Sequence, residues 1–518
     1  MKSMRGLKPA LAAMLLLLGL PMPLHAATDV EASSSNDKKS PENNFKPFVL
    51  RELRLDGGDF KREEVIHLVQ PLLDRLVSLE DIRTLAQGIA EAAQKKGIAL
   101  PNVTVPDQNF AGGLLRIVVT PGAVQVRIDK NADDSLLRAY GRALSSERPL
   151  RLSTLQRYVS LIREMPGFNA DIRLVETETG VAMDISGKRD RTALTVSAGN
   201  RGLALLGDTN FQADFMARGV ATAGDEIGLT YARPLDNDRY SLLGLTYSLP
   251  VGTGGARLQG QVTRLRTYPD FYDLMGKATG FGVQINVPLV RSYTQLLVAN
   301  IGVDGLDSDN ALFGFNLLSE KVRAARFTVL YATATGRHEI LASAAFSLGL
   351  PPLGARTSQP LASDPGFAKV VFRARMESRL TDRLRLRTSA LVQASPDRLS
   401  GAEQMVLGGD EYGRGYPGSL LGGDSGYAGS AEIAWQPARK AKPGELELYA
   451  FVDGGKVRSK GRYAFPGYTQ SLSSAGGGVR VLVRPRWSVD VGATARLTRV
   501  YGLEQPHWRA AFSTKFTL

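Results

Sequence analysis

A few short segments hold residue types that could do chemistry. Gly423-Asp424-Ser425-Gly426 imitates the Gly-Asp-Ser-Gly of serine proteases. That reaction needs a histidine base beside the serine. The chain has four histidines, His25, His67, His338 and His507, and none stands in a recognisable motif. Residues 307–310 are acidic enough to suggest calcium, yet they lack the glycine and glutamate of an EF-hand loop and read as a solvated loop. Two further segments are Gly408-Gly409-Asp410-Glu411-Tyr412-Gly413-Arg414-Gly415-Tyr416-Pro417-Gly418 and Phe451-Val452-Asp453-Gly454-Gly455. Each alone reads as an ordinary glycine-rich segment. The chain has no cysteine and no Walker sequence, which removes disulfides, zinc–thiolate sites, thiol nucleophiles and a phosphate cradle. The expectation is no enzyme, no metal and no cofactor.

Composition and period describe the elements that must position these residues. The 518 residues suffice for about three ordinary domains, or for one large architecture with appendages. Hydrophobic residues make up 43% and charged residues 22%, close to globular averages. The net charge of +13 is dispersed, with no basic run of five and no basic patch interleaved with aromatics, so a nucleic-acid partner is not expected. Lys2, Arg5 and Lys8 precede an apolar run over 10–20, then Pro21, Pro23, Ala26 and Ala27. This is the layout of a signal peptide, cleaved after Ala26 or Ala27, because an apolar helix of about 16 Å is too short to span a bilayer. Residues 1–26 are therefore assigned as signal and the polar stretch 27–47 as a flexible leader. No later segment approaches the length of a transmembrane helix. The mature chain is thus either soluble and exported or crosses a membrane as strands.

Residues 48–122 read in the order β-α-α-β-β. A strand over 48–55 precedes a helix over 62–77, kinked or broken at Pro71. Ser78 and Asp81 then cap a second helix, whose apolar stripe is Leu79, Ile82, Leu85 and Ile89 and whose stop is Gly97. Strands over 102–105 and 114–120 follow. The same order recurs in residues 123–190, with a strand over 124–129, helices over 133–144 and 153–165, and strands over 170–176 and 180–186. From residue 191 to 518 the period becomes two. Candidate strands lie at 225–232, 240–249, 280–287, 294–303, 338–348, 368–377, 383–392, 428–435, 445–452, 476–483 and 487–497. At about 20 residues per strand and connection, this stretch accommodates roughly 16 strands. Tight connections at 288–291, 335–337, 380–383 and 484–486 alternate with long Gly-, Pro- and Asp-rich ones at 266–279, 350–366, 394–426, 456–471 and 499–507. Short turns on one side and long loops on the other are the signature of an outer-membrane barrel. At the end of the chain Trp508, Ala510, Phe512, Phe516 and Leu518 share one parity, while Arg509, Ser513, Lys515 and Thr517 hold the other, so one face suits lipid and one a lumen.

The tandem β-α-α-β-β unit behind a signal peptide resembles a pair of POTRA domains, periplasmic modules that receive unfolded polypeptide. A sheet with one free edge can add an extended client as a strand, and Val103, Thr104 and Val105 are the expected edge. Arg414-Gly415-Tyr416 resembles the (V/I)RG(Y/F) signature of the inward-folded loop in the outer-membrane assembly and secretion superfamily, with Gly413 in place of valine or isoleucine. Phe451, Asp453 and Gly455 match that superfamily's FxDxG strand motif, and the resemblance implies that Arg414 reaches into the barrel and pairs with Asp453. Asn200-Arg201-Gly202 with Gly207 is similar to the N-x-G…G entry of the secretion branch. Two POTRA-like units ahead of a barrel resemble the two-partner secretion transporters (TpsB), the haemolysin secretion/activation family, over nearly the whole mature chain.

The expected architecture is a signal peptide, two POTRA domains and a transmembrane antiparallel β-barrel of about 16 strands in a bacterial outer membrane, with the POTRA domains in the periplasm. The resemblance implies a monomeric pore that exports an unfolded TpsA-like exoprotein of haemolysin or adhesin type. Its other partners would be outer-membrane lipid or lipopolysaccharide and the barrel assembly machinery, with Trp508, Phe512, Phe516 and Leu518 forming the membrane-insertion strand. Superfamily barrels usually end in an aromatic residue, and Leu518 departs from that. The short polar leader predicts no plug helix. The alternatives are an insertion factor of the same superfamily and a simple diffusion porin, which would not need the amino-terminal modules.

Overall fold

A computed structural model describes residues 46–518 apart from 58–59, 121, 178–179, 203–205, 270–273, 313–314, 438–444, 463–465, 484–485 and 501–506. The signal peptide, nearly all of the leader and the question of a plug helix lie outside the described residues. The chain divides into two compact units, the first ending at Arg189 and the second beginning at Asp190. No described helix is long and apolar enough to cross a membrane.

Each amino-terminal module is a three-stranded sheet covered by two helices. In the first, Glu52–Asp56 runs parallel to the central strand Leu114–Thr120, and Asn102–Thr104 pairs antiparallel on its other side. Ile82, Leu85, Ile89 and Ala93 of helix Leu79–Lys95 are buried, and the first three meet Leu115, Ile117 and Val119 of the sheet. Ser78 caps that helix: its Oγ accepts the Asp81 N–H at 3.2 Å, and the Asp81 carboxylate accepts the Ser78 N–H at 2.9 Å. The Ser78 N–H and hydroxyl hold the Asp81 carboxyl below the usual carboxylate range. The second module has the sheet order Val124–Ile128, Gly180–Arg189, Phe168–Thr177, under helices Ser135–Ser146 and Leu152–Arg163.

Two local expectations need correction. The helix expected over 62–77 ends at Val69, passes through a 3-10 turn at Gln70–Leu72 and gives way to a short strand Leu76–Val77. Pro71 has no N–H to continue the ladder, and Asp74 takes a left-handed φ of 55°. The first strand is split into Phe48–Val49, which pairs with Leu76–Val77, and Glu52–Asp56. It breaks because Leu50 donates its N–H to Arg75 while Arg51 donates to Gly113.

The second unit is a closed antiparallel barrel of 16 strands, from Thr192–Gly199 to Trp508–Thr517. Between the first strand and the last, three were not singled out in the sequence: Asn210–Arg218, Ala256–Thr267 and Phe315–Ala334. In Ala256–Thr267 the reason is visible, since Arg257 faces the lumen beside Ser248 while Arg264 and Arg266 stand on the outer parity, so charge on both faces hides the period of two. The alternation of loop lengths also has an exception. Strands Gln295–Leu312 and Phe315–Ala334 run far past membrane thickness and leave only residues 313–314 between them at the loop end. The stretch expected as a long loop at 266–279 is likewise mostly strand, ending at Thr267 and resuming at Leu274.

The outer face is apolar and aromatic, with Val262, Phe281, Phe327, Val452, Val491 and Phe512 all exposed. At the last strand Trp508 (67% exposed), Phe512, Phe516 and Leu518 stand on this face. Closure is short. Trp508–Thr517 meets Thr192–Gly199 only from Ser513↔Gly199 to Thr517↔Thr195.

Candidate functional site

The segment between strands Leu384–Ala394 and Ser425–Trp435 turns back on itself through a small hairpin, Met405–Leu407 against Leu421–Gly423. Leu407, Tyr412, Tyr416 and Leu421 are buried with Leu391, Val457 and Leu472 of the barrel strands. The loop therefore lies against the inner wall. The tip is shaped by glycine. Gly408, Gly409 and Gly413 have φ of 104°, 92° and 93°, a region that side chains avoid. At Gly413 a Cβ would also stand 2.4 Å from Leu472 Cδ1. This explains why glycine holds the place where the resembling signature has valine or isoleucine.

Arg414 follows that turn and points at the wall. The register sets Ser430 opposite Asp453, Glu432 opposite Phe451 and Asp453 opposite Ser474, so all five share the lumen face. The Arg414 guanidinium lies 4.0 Å over the Phe451 ring and bonds Glu432 at 2.7 Å through Nη1. Its Nη2 reaches Ser430 Oγ at 3.3 Å, and its Nε stands 3.5 Å from Asp453 without a hydrogen bond. Asp453 instead accepts the main-chain N–H of Gly413 at 3.0 Å and of Arg414 at 3.3 Å, and the Ser474 hydroxyl at 2.5 Å. The expected Arg414–Asp453 pair is thus present as a long contact. The short ionic bond goes to Glu432, and Asp453 mainly fixes the loop backbone.

The rest of both motifs has equally plain work. Tyr416 is fully buried, its hydroxyl 2.5 Å from the Thr498 carbonyl and 3.1 Å from that of Ser473. A Cβ on Gly415 would stand 3.2 Å from both Arg496 Cγ and Ser474 Cβ, and one on Gly455 would stand 2.9 Å from Leu407. These glycines let loop and wall touch. Arg496 donates to the Gly415 carbonyl at 2.7 Å, and Arg509 to that of Tyr416 at 3.4 Å. On the far side of the loop, Glu403 pairs with Arg326 and Lys369, both at 2.6 Å, and Glu411 with Arg375. Asp424 of the protease-like segment is buried and accepts the N–H groups of Leu399 and Lys460 at 2.8 Å and Arg462 Nη2 at 2.6 Å. It clamps the loop base.

Asn200-Arg201-Gly202 meets this loop as well. Arg201 bonds Asp410 at 3.2 Å, and the Gly202 carbonyl accepts the Gly418 N–H at 3.0 Å. The Asn200 carboxamide donates to the Ala510 carbonyl at 3.1 Å and accepts the Phe512 N–H at 2.8 Å. A side chain thus extends the closing seam by acting as a peptide group.

Glu432 was missed in the sequence, as was the ladder behind it. Arg387 bonds Glu447 at 2.7 and 2.9 Å and Glu432 at 3.0 Å, while Arg480 joins Glu447, Glu432 and Asp490. A usable signal existed. Glu447 shares lumen parity with Asp453, and a buried carboxylate facing a closed lumen needs a cation.

In the amino-terminal modules, Asn102–Thr104 is an edge strand paired only with Leu114–Thr120 among the described strands. Val103 and Val105 pack on the core, Thr104 is exposed, and Val105 lies beyond the strand end. Pro101 and Pro106 bracket it. In the second module Phe168–Thr177 is a longer edge.

Two family models match. Residues 181–481 match the haemolysin secretion/activation protein ShlB/FhaC/HecB, and residues 48–122 match the ShlB-type POTRA domain. Among curated relatives, the outer membrane transporter CdiB of Dickeya dadantii (strain 3937) is 22% identical over 483 residues, covering 89% of this chain and 84% of the relative. Among solved structures, CdiB from Escherichia coli superposes with a TM-score of 0.75 at 18% identity over 100% of both chains. BamA from Haemophilus ducreyi lacking POTRA domains 1–3 gives 0.56 at 14% identity, over 91% of this chain and 100% of that one.

Proposed function

This chain belongs to the ShlB/FhaC/HecB haemolysin secretion/activation family, and from that premise we propose that it exports one unfolded partner exoprotein, of haemolysin or adhesin type, by two-partner secretion. It is an outer-membrane pore of the transport and assembly superfamily, with POTRA domains in the periplasm and no catalytic activity of its own. In this reading the client adds a strand at a POTRA edge, with Val103 to Val105 the edge read from the sequence. It then passes along the lumen, and folding outside makes return unfavourable without nucleotide. The observation that carries the reading is the loop of Arg414, held across the inner wall by ion pairs and single hydrogen bonds that an arriving chain can exchange. Depletion in the native host tests it. Loss of one exoprotein from the medium with porin levels unchanged is expected, whereas loss of many barrel proteins from the membrane contradicts it.

One observation favours the second reading, a barrel-protein insertion factor: the short seam between Trp508–Thr517 and Thr192–Gly199, which could open sideways. Thr195 and Thr517 face each other with their hydroxyls 3.3 Å apart, close enough for a disulfide. Locking the seam as Thr195→Cys/Thr517→Cys leaves secretion unchanged if the client uses the lumen and stops function if it leaves through the seam.

A further inference from the structure

We propose that the outer face of the four successive strands Ala256–Thr267, Leu274–Arg291, Gln295–Leu312 and Phe315–Ala334 binds a phosphorylated, acylated glycolipid of the outer leaflet, of the lipid A type. Basic side chains gather here on a surface that elsewhere faces hydrocarbon. Arg264 pairs in register with Leu243 and Thr279, Arg266 with Ser241 and Lys277, and Lys321 with Asp307 and Arg356. Arg264, Arg266 and Lys277 are exposed, and Lys321 is half-buried beside Asp307 at 3.7 Å. Arg323 is mostly buried, bonded to Asp307 at 2.6 Å and lying 4.9 Å over the Phe281 ring.

Their height in the membrane decides what they can meet. About 9–11 tilted residues cross the hydrocarbon, and Lys321 and Arg323 stand above that count from the far end of their strand at Ala334. A lipid-facing cation is costly at the membrane midplane and nearly free of cost at the interface. Lys321 and Arg323 therefore sit at headgroup level, and Arg264 and Arg266, ninth and eleventh from Ala256, reach its lower edge, where an anion repays their burial.

Immediately below it the outer surface is grooved. A cavity of about 430 Å³, open to the membrane, is lined by Leu245, Val262, Phe281, Val283 and Val303, with Arg323 and Leu353 at its rim. Gly305 lets the Phe281 ring at the edge of this space lie flat on the wall, since a Cβ there would stand 2.6 Å from it. An acyl-sized apolar groove under a row of cations is complementary to a lipid that carries phosphate above its chains. The row spans three inter-strand steps, roughly 14 Å, which suits a disaccharide bearing a phosphate at each end better than a single phosphodiester.

The test uses the full mature protein, purified from outer membranes and examined by native mass spectrometry for retained lipid A. It compares the native chain with Arg264→Gln/Arg266→Gln/Lys277→Gln/Lys321→Gln and with Lys456→Gln/Arg458→Gln, a basic pair on another strand, each checked for folding by heat-modifiable migration. The fourfold variant should retain at least about tenfold less lipid A, the control pair as much as the native chain. Added dephosphorylated lipid A, phosphatidylglycerol and inorganic phosphate should fail to displace it from the native chain. Equal retention by the fourfold variant, or equal loss from the control pair, overturns the proposal. Displacement by phosphatidylglycerol would reduce the site to a general anionic surface and overturn it too. Should the fourfold variant not insert, the native chain decides alone: equal binding of dephosphorylated lipid A rejects the site.

Discussion

The barrel closes its lumen in two places by different means. Along strands Ser425–Trp435, Glu445–Ser459 and Tyr468–Val483 the register is long, and the inner face carries an ion-pair ladder that also grips the Arg414 loop. At the seam, Trp508–Thr517 and Thr192–Gly199 share a short register, prolonged by the carboxamide of Asn200 and by the Leu518 N–H donating to Leu194 at 2.8 Å. The first place is over-determined by charge in a confined space, where each lost partner strands another. The second rests on ordinary neutral hydrogen bonds, each worth about 1 kcal/mol. Charge-assisted contacts are thus concentrated at the wall, which the proposed transport would have to open, while in that reading the seam only needs to stay shut.

Breaking the wall should cost most. Arg414→Ala removes the bond to Glu432 and the contact with Phe451, and is expected to abolish secretion while heat-modifiable migration shows an inserted barrel. Secretion at the native level would discard the role given to the loop. Glu432→Gln comes next. It leaves Arg414 and Arg387 short of one carboxylate, a loss of about 3–5 kcal/mol for a buried pair, and should lower secretion strongly without abolishing it, because Asp453 still holds the loop backbone. Breaking the seam should cost least: Asn200→Ala removes two hydrogen bonds and is expected to lower the thermal unfolding midpoint by only a few degrees. If it destabilises the barrel more than Glu432→Gln does, the contrast between wall and seam is reversed.

The legible parts of this molecule were those with a period or a repeat. The capped helix Leu79–Lys95, the tandem modules and the alternation at Trp508, Phe512 and Phe516 each express one physical constraint over many residues. The Arg414 and Asp453 segments were legible only through their resemblance to known motifs. That likeness supplied a partner for Arg414 and hid a nearer one, since Glu432 belongs to no motif and its role comes from register across two strands. Ala256–Thr267 was illegible for the opposite reason. Two of its three arginines, Arg264 and Arg266, stand on the lipid parity while Arg257 faces the lumen, so the period of two that should have marked the strand is broken by charge on both faces.

In the proposed transport the Arg414 loop must leave the wall for the client to pass. Gly415 and Ser474 allow a direct test, since a Cβ on Gly415 would stand 3.2 Å from that of Ser474, near disulfide reach, and the native chain has no cysteine to compete. In Gly415→Cys/Ser474→Cys the account predicts exoprotein held in the periplasm when the bond is oxidised and released into the medium on reduction. Equal secretion in both redox states would contradict it.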